Sequence, residues 1–384
     1  MLFTHWLSNR RGPSFQPASR RNTAAARRTV RPRLEYLEDR VVLSTLSVTN
    51  NLDSGKGSLR AEIAAAHSGD TINFDTHAFS TPQTITLTTG ELLIKKNLTI
   101  AGPGAGELTV SGNNASRVFE VAQKENVTLS GLTISNGAAQ SSDGGGILNG
   151  GTLTVTNSIL SGNSAFQGGG ILNGGTLTVS NSTLSGNSAF DGGGISNNET
   201  YATLTVSGSI LSGNTATSLD GGGIENYGML TVSSSTLSAN TALHGGGIWN
   251  IGTATVSGST LSDNHAGTGG GGIFDEGGTL TVINSTLSGN SASSDAGGQG
   301  GGIFNWAGAL TVSGSTLSGN SADSNAGGIY NSVYGTLTVE NSSNISGNSA
   351  PLGSGADVYN AGVLNWDLSS IITILDGNGT VNRI

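Results

Sequence analysis

Aromatic side chains recur once per repeat in the second half of this sequence, and they are its clearest candidates for binding chemistry. An exposed row of aromatic rings is typical of surfaces that bind glycans or proteins, because each ring offers a flat apolar face. The alternative is a stacked ladder that only stiffens the fold. We predict a binding surface of seven residues: Tyr227, Trp249, Phe274, Phe304, Trp306, Tyr330 and Tyr359.

Two acidic residues at equivalent positions of neighbouring repeats are the candidates for a metal site. Asp191 and Asp220 each stand directly before a Gly-Gly-Gly run. On adjacent strands their carboxylates would lie within about 5 Å of each other, and oxygen ligands on turns suit Ca²⁺. The alternative is that these charges keep a surface rich in Asn and Ser soluble. We expect no other cofactor, and the absence of cysteine excludes a thiolate metal site.

Catalysis is the weaker interpretation, because the basic residues that it needs are missing. Residues 126–382 contain fourteen Asp and Glu residues but no Lys or Arg. A polysaccharide lyase would lack its base and its uronate clamp there, and nucleic acid would find no cations for its phosphates. His244 and His265, the latter beside Asp263, are interpreted as solvated turn residues. The sequence predicts no catalytic residue and no nucleic-acid partner.

A repeat that reads GGGI-x-N, TLTV and STLSGN must position all of these side chains. Its period of about 24–30 residues indicates a solenoid, in which each coil buries its apolar face only against the next coil. Short alternating segments rich in Val, Ile and Thr are typical of strands, and 62 glycines disfavour helix. One aliphatic residue marks each repeat: Ile147, Ile171, Ile195, Ile224, Ile248, Ile273, Ile303, Ile329 and Val358.

Three strands and three turns in each repeat predict an all-β fold, a parallel β-helix of about 11–12 coils. Alternation with a period of two directs Leu and Val of TLTV inward and Thr outward. The same alternation directs Ile and Asn of GGGI-x-N inward and the residue between them outward. The inward Asn residues predict two ladders of stacked amides. One runs from Asn149 to Asn360, interrupted by Asp275, and the other runs from Asn163 to Asn348.

The chain divides into four predicted parts. Residues 1–45 carry nine Arg and three acidic residues and are expected to be a basic, disordered leader. Residues 46–83 are expected to form an N-terminal cap of strand, helix and strand, with Ser58 as helix N-cap and Leu59 and Ile63 on its apolar face. Residues 84–376 hold the β-helix, and 377–384 a short tail. No stretch of 18 apolar residues that would indicate a transmembrane helix occurs.

The repeats resemble those of right-handed parallel β-helix surface proteins of the GG-A-I class, over residues 46–384. The opening stretch LSVTNNLDSGKGSLRAEIAAAHSGDTINFD is similar to the start of many such bacterial proteins. This resemblance implies a right-handed, pectin lyase-like fold with a short helix at its N-terminal end. It implies little about activity, because the fold occurs in lyases, hydrolases, adhesins and inert spacers.

The end of the basic segment carries a second resemblance. Residues 33–44, RLEYLEDRVVLS, resemble the LEPR-x-LL leader of large exported planctomycete proteins, with Asp39 at the proline position. The resemblance implies export to the cell surface or beyond; the alternative is a basic disordered arm.

The sequence therefore favours an exported, structural or adhesin-like solenoid that binds an extracellular glycan or a surface protein. One alternative is a polysaccharide-active β-helix enzyme, either a lyase or a glycoside hydrolase. A second alternative is ice binding through the outward Thr-x-Thr pairs, which form a flat array on sheet strands. The oligomeric state is left open.

Overall fold

The structure, a computed structural model, describes residues 43–139, 142–293, 297–351 and 354–384. These residues form a parallel β-solenoid whose strands lie in sheets of 14, 12, 12 and 8 strands. Each of the two twelve-stranded sheets takes one strand from each of twelve coils, which confirms the predicted all-β parallel fold and its coil number. The right-handed sense of the coil stays a prediction. The predicted leader lies outside the described residues except for 43–45.

Sheet A is built from the TLTV segments. In Thr152–Thr156, Leu153 and Val155 are buried and Thr152 is exposed, as the alternation predicts. The expected tail contributes the last strand. The strands are Thr45–Val48, Thr71–Phe74, Leu98–Ala101, Asn126–Ser130, Thr152–Thr156, Thr176–Ser180, Thr203–Ser207, Met229–Ser233, Thr253–Ser257, Thr279–Ile283, Ala309–Ser313, Thr336–Glu340, Val363–Trp366 and Thr380–Arg383.

Sheet B follows sheet A in every coil and comes from the STLS segments. In the strands that come from STLS segments, one leucine, such as Leu160, is fully buried between two more exposed residues. The strands are Gln83–Thr86, Leu108–Ser111, Thr133–Ser135, Ile159–Ser161, Thr183–Ser185, Ile210–Ser212, Thr236–Ser238, Thr260–Ser262, Thr286–Ser288, Thr316–Ser318, Asn344–Ile345 and Ile371–Ile372.

Sheet C comes from the GGGI-x-N segments and leads directly into sheet A of the same coil. Its inward Ile residues are fully buried in the main core together with Leu and Val of sheets A and B. The strands are Leu92–Ile94, Phe119–Val121, Ile147–Asn149, Ile171–Asn173, Ile195–Asn197, Ile224–Asn226, Ile248–Asn250, Ile273–Asp275, Ile303–Asn305, Ile329–Asn331, Val358–Asn360 and Leu375–Asp376.

Eight coils add a fourth strand, where the sequence predicted three. This strand follows the SGN turn. It pairs with the equivalent strands of the neighbouring coils in a short sheet, sheet D. Each of its strands carries at least one Ala, and Ala266 and Ala292 are fully buried. The strands are Ala138–Ala139, Ser164–Gln167, Ser188–Asp191, Thr215–Ala216, Thr241–His244, His265–Gly269, Ser291–Ala292 and Ser321–Ala322.

Both predicted amide ladders are present and fully buried. Along the first, Asn149 Nδ2 donates to Asn173 Oδ1 at 2.7 Å, and the same bond repeats from coil to coil as far as Asp275. Along the second, Asn163 Nδ2 donates to Asn187 Oδ1 at 2.9 Å, and the pattern continues to Asn348. Because each amide bonds the next, the ladders hold neighbouring coils in one register.

The described part of the chain contains one helix, α1, Leu59–Ala65. Ser58 is its N-cap, and its side chain accepts a hydrogen bond from the backbone N–H of Ala61 at 3.2 Å. Leu59 and Ile63 are buried in the main core. The helix thus occupies the position that the sequence predicts, at the N-terminal side of the first coils.

Candidate functional site

The outer face of sheet C carries the predicted aromatic residues in one continuous column. Trp249 pairs with Phe274, Phe274 with Phe304, Phe304 with Tyr330 and Tyr330 with Tyr359. The parallel register therefore brings these five side chains together on successive coils, as the repeat spacing indicates. Tyr227 and Trp306 lie in the turns that follow their strands and contact the same column.

The column is largely covered, and the exposure expected of its central residues is wrong. Trp249, Phe274 and Phe304 are only 3%, 7% and 6% exposed, and they form a second hydrophobic cluster outside the main core. Tyr227 and Tyr330 are half-buried against it. Binding therefore stays a prediction for those of the seven residues whose rings reach solvent. The three covered residues, Trp249, Phe274 and Phe304, support the alternative of a ladder that stiffens the fold.

The turn from sheet D to sheet C covers the column. The first glycine of each GGG run adopts a left-handed backbone, as at Gly270 with φ of +63°, and this conformation folds the end of sheet D back over the outer face of sheet C. The ring of His244 lies 5.2 Å from that of Phe274. Gly269 lies so close that a Cβ atom there would stand 2.3 Å from Phe304 Cδ1.

The rings in the cluster pack at the distances of favourable aromatic pairs. Phe274 and Phe304 lie 4.8 Å apart, as do Phe304 and Tyr330, both edge to face. The indole N–H of Trp249 donates to Glu276 Oε2 at 2.9 Å. Each pair adds about 0.5–1.5 kcal/mol beyond the burial of its area, so the cluster strengthens the interfaces between five consecutive coils.

Replacement of Gly269 by alanine is expected to lower the free energy of unfolding by about 1–3 kcal/mol, since the new methyl group displaces the ring of Phe304 in a closely packed cluster. Trp306 lies 5.8 Å from Phe304, so its fluorescence is expected to change too. Gly267→Ala is the matched control, because the one close neighbour of its Cβ atom would be the movable Cδ1 atom of Leu243 at 3.0 Å, with the backbone of Leu243 at an ordinary 3.7 Å. Equal unfolding curves for both variants would contradict the tight packing.

Several exposed apolar side chains lie along the turns that join sheet C to sheet A, a row that we call the C–A edge. Trp306 is 46% exposed and Tyr334, in the next coil, is 73% exposed. Tyr201, Ile251 and Val333 are exposed at the same edge. Each of these residues lies in the turn that follows the last residue of a sheet C strand.

A second group of side chains gathers carboxylates and a histidine on three adjoining coils. Asp220 Oδ1 contacts His244 Nδ1 at 2.7 Å, and the backbone N–H of Asp220 donates to Asp191 Oδ1 at 3.4 Å. Ser196 donates its hydroxyl proton to Glu225 Oε2. The two predicted acidic residues are thus neighbours, as expected, but they are engaged with protein groups.

Burial controls the ionisation of this group. Removal from water is the main cause that raises the pKa of Glu225 to about 8; the negative charges of Asp191 and Asp220 act in the same direction, and the hydrogen bond from Ser196 opposes them. Burial also raises the pKa values of Asp191 and of the Tyr227 hydroxyl. A buried carboxyl group with a raised pKa beside an Asp–His pair has the composition of an acid–base site. Glu225 is only 1% exposed, however, so a substrate could not touch its carboxyl group in this conformation.

The described ranges contain no group of three or more His, Cys, Asp or Glu side chains arranged to hold a metal ion. Ca²⁺ binding by Asp191 and Asp220 stays a prediction. The histidine environments also differ from the expected solvated turns. His244 bonds Asp220, and His265 Nδ1 contacts Ser291 Oγ at 3.0 Å.

Comparison with known proteins gives no family. No family model matches the sequence, and no curated protein matches it. Four solved chains match it, among them a pectate lyase, Pel9A, with 16% identity over 87% of this chain and 78% of that chain and a TM-score of 0.31. A likeness of that size carries no argument about activity, and the strand pairing of the chain itself establishes the parallel β-solenoid.

No helix in the described part of the chain is long and apolar enough to cross a membrane.

Sequence reasoning missed Tyr334, Tyr201 and Glu225 as site residues. Tyr201 and Tyr334 lie in insertions that break the repeat, so no column contained them, although the insertions themselves were visible. Glu225 occupies the column position of the aromatic residues, and that single departure was the available signal.

Proposed function

We propose that the protein is an exported, non-enzymatic β-solenoid that acts at the cell surface or in the extracellular matrix and binds glycan along its C–A edge. The single observation that carries this proposal is the row of exposed aromatic and aliphatic side chains at that edge, with Trp306 and Tyr334 in consecutive coils. Aromatic faces held at the spacing of stacked strands offer a polymer repeated stacking positions. Export is supported by the resemblance of residues 33–44 to an export leader.

The scaffold behind the edge is rigid. The turns that carry Trp306 and Tyr334 begin at amides of the first ladder, and the hydrogen bonds from Asn305 to Asn331 and from Asn331 to Asn360 hold their coils in register. The aromatic cluster lies directly beneath, since Phe304 contacts both Trp306 and Tyr330. Binding on a preformed surface loses little conformational entropy, which favours affinity.

Charge narrows the class of partner. Fourteen acidic residues and no Lys or Arg between 126 and 382 disfavour anionic polysaccharides and nucleic acid on this part of the surface. An uncharged or cationic glycan meets no such repulsion. Hydroxyl groups of an uncharged sugar can also donate to the carboxylates, and such charge-assisted hydrogen bonds are strong.

The double substitution Trp306→Ala with Tyr334→Ala is expected to weaken binding to uncharged cell-wall polysaccharides at least about tenfold, because it removes two neighbouring stacking faces. The measurement is a glycan array followed by affinity electrophoresis. The matched control is Phe166→Ala with Phe190→Ala, a pair that is also exposed and stacked at 5.2 Å but lies on sheet D. Equal losses in the two double variants would contradict a specific role of the C–A edge.

A polysaccharide-active enzyme is the second candidate, and the group of Asp191, Asp220, Glu225 and His244 is the observation that favours it. The enclosure of Glu225 counts against it. Release of reducing sugar from acidic or neutral glycans, abolished by Glu225→Gln, would favour the enzyme over the binding protein. Ice binding through the outward Thr pairs stays a prediction that a thermal-hysteresis measurement tests.

A further inference from the structure

A cleft of about 510 Å³ opens in the C–A edge near its N-terminal end. Its floor consists of Leu148 and Leu172 together with the short Gly150–Gly151 and Gly174–Gly175 turns. The turns on either side are longer: Ala122–Glu125 before them and Asn198–Tyr201 after them. The cleft therefore exists because two minimal glycine turns lie between two raised ones, and that volume lies within the range of small-ligand sites.

The length of the cleft follows from the coil spacing. Its walls belong to the coils of Phe119 and Ile195, which are three coils apart by strand pairing. At about 4.8 Å per coil the walls are about 14 Å apart. This length suits a short oligomer lying parallel to the solenoid axis rather than a single small metabolite.

Both walls are fixed, and both direct polar side chains over the floor. The Asn198 amide donates to Gln167 Oε1 at 3.0 Å, and the N–H of Ala202 donates to the carbonyl of Glu199 at 2.9 Å, closing the turn that carries Tyr201. The Glu199 side chain reaches over Gly174, and Gln123 reaches over Gly150. The ring of Tyr201 is exposed at the rim of the cleft.

The lining is half apolar and half hydrogen-bonding, which is the combination that a sugar requires. The floor leucines and the Tyr201 ring can cover the C–H faces of sugar rings, while Gln123, Lys124 and Glu199 can bond the hydroxyl groups at their edges. Of the charged lining residues, Glu120 is paired with Arg117 at 3.1 Å, which leaves Glu199 and Lys124 to balance each other. The lining therefore offers no surplus of cations to hold a uronate, which favours an uncharged saccharide as the occupant.

We propose that this cleft is a binding subsite for a short run of an uncharged polysaccharide. The inference rests on the proposed function and deepens it. In this view the cleft holds a few sugar rings, and a longer polymer continues along the rest of the C–A edge. Trp306 lies four coils beyond Tyr201, about 19 Å away by coil spacing. A tetrasaccharide held in the cleft does not reach Trp306, whereas a polymer does.

The test measures binding of uncharged tetrasaccharides, cellotetraose and xylotetraose, to the full chain by isothermal titration calorimetry, with tetragalacturonate as the anionic comparison. Gly174→Leu fills the floor, and its backbone tolerates a side chain, because a Cβ atom there meets nothing closer than 3.7 Å. Gly106→Leu is the matched control, since Gly106 has open space around it and lies outside the cleft. Thermal unfolding of both variants checks their folding.

The expected result is a loss of tetrasaccharide binding of at least about tenfold in Gly174→Leu and in Tyr201→Ala, with binding by Gly106→Leu unchanged. Retained tetrasaccharide binding in Gly174→Leu would overturn the cleft as the subsite while leaving glycan binding at the edge intact. Preferential binding of tetragalacturonate would overturn the assignment to an uncharged saccharide. No binding of any tetrasaccharide or polymer by the unsubstituted protein would overturn both this inference and the proposed function.

Discussion

Replacement of Asn214 by alanine is expected to lower the free energy of unfolding by about 3–5 kcal/mol. The Oδ1 atom of Asn214 accepts from both the backbone N–H and the side-chain amide of Asn187, at 3.1 and 2.9 Å. Its amide donates to the carbonyl of Leu184 and to Asn240 Oδ1, each at 3.0 Å. The substitution removes all four bonds at a fully buried corner, and each buried group left without a partner costs about 1–3 kcal/mol.

The measurement is urea unfolding combined with hydrogen exchange. A solenoid holds each coil only through its neighbours. In the variant, the backbone N–H of Asn187 is therefore expected to exchange faster than in the unsubstituted protein, while backbone N–H groups of distant coils change less. Asn181→Gly is the control: it removes an exposed amide and keeps the left-handed backbone of Asn181, whose φ is +48°. A change of similar size in the control would show that the ladder has no special role in stability.

Replacement of Asp275 by asparagine is expected to raise the free energy of unfolding by about 3 kcal/mol at pH 7.5 and to change it little at pH 4. Asp275 interrupts the first ladder: its Oδ1 accepts from Asn250 at 2.7 Å, while its buried Oδ2 has no hydrogen-bond partner among the described residues. An amide at this position can donate to Asn305, its partner on the next coil. The substitution would therefore complete the ladder.

The pH dependence of this effect follows from the pKa of Asp275. Burial raises that pKa from 3.8 to about 6, so the folded protein holds the proton more tightly than the unfolded chain. The stability of the folded state therefore falls as pH rises from 3.8 to 6, and the full cost remains above 6. The difference between the two pKa values corresponds to a loss of about 3 kcal/mol in the free energy of unfolding, at about 1.4 kcal/mol for each pKa unit. The pKa of Glu225 is also raised, so Glu225 lowers stability with rising pH equally in the unsubstituted protein and in the Asp275→Asn variant.

A second buried aspartate supplies the matched control, with an expected effect of opposite sign. Asp357 ends the other ladder, and both of its oxygens are satisfied: Oδ1 accepts from Asn348, and Oδ2 accepts from the N–H of Ile374 at 2.9 Å. Asp357→Asn places an amide donor against an N–H donor and is expected to destabilise the protein. Chemical denaturation of both variants between pH 4 and pH 7.5 provides the measurement. Stabilisation by Asp275→Asn that is equal at both pH values would contradict the role of ionisation.

The covering of the aromatic column was not predictable from the repeat, although the column itself was. The alternation of inward and outward residues predicted that the side chains of Trp249, Phe274 and Phe304 lie on the outer face of sheet C, and they do. Alternation describes one strand, however, and says nothing about what lies over its outer face. The left-handed glycine turns bring sheet D over that face, and their path depends on the pairing of eight coils rather than on any local pattern.

The site residues divide in the same way. Asp191 and Asp220 share a turn position, so their proximity was predictable. The partnership of Asp220 with His244 was not, because it joins different coils at a turn of variable length. Tyr201 and Tyr334 belong to insertions, whose exposure depends on the lengths of the neighbouring turns. The glycine turns at 150–151 and 174–175 were visible in the sequence, but a cleft appears only when they stack between longer turns.

The sequence by itself determined most of the coil: three of its strands, its inward Leu, Val and Ile residues, its corner asparagines and its number of repeats. These features depend on a period of two within a strand and on the repeat length, both of which can be read along the chain. Only the tertiary structure decided which outward side chains reach solvent, which buried acid lacks a partner and where the edge dips into a cleft. Those properties arise between coils, because exposure, desolvation and concavity depend on neighbours that lie 24 or more residues away in the sequence.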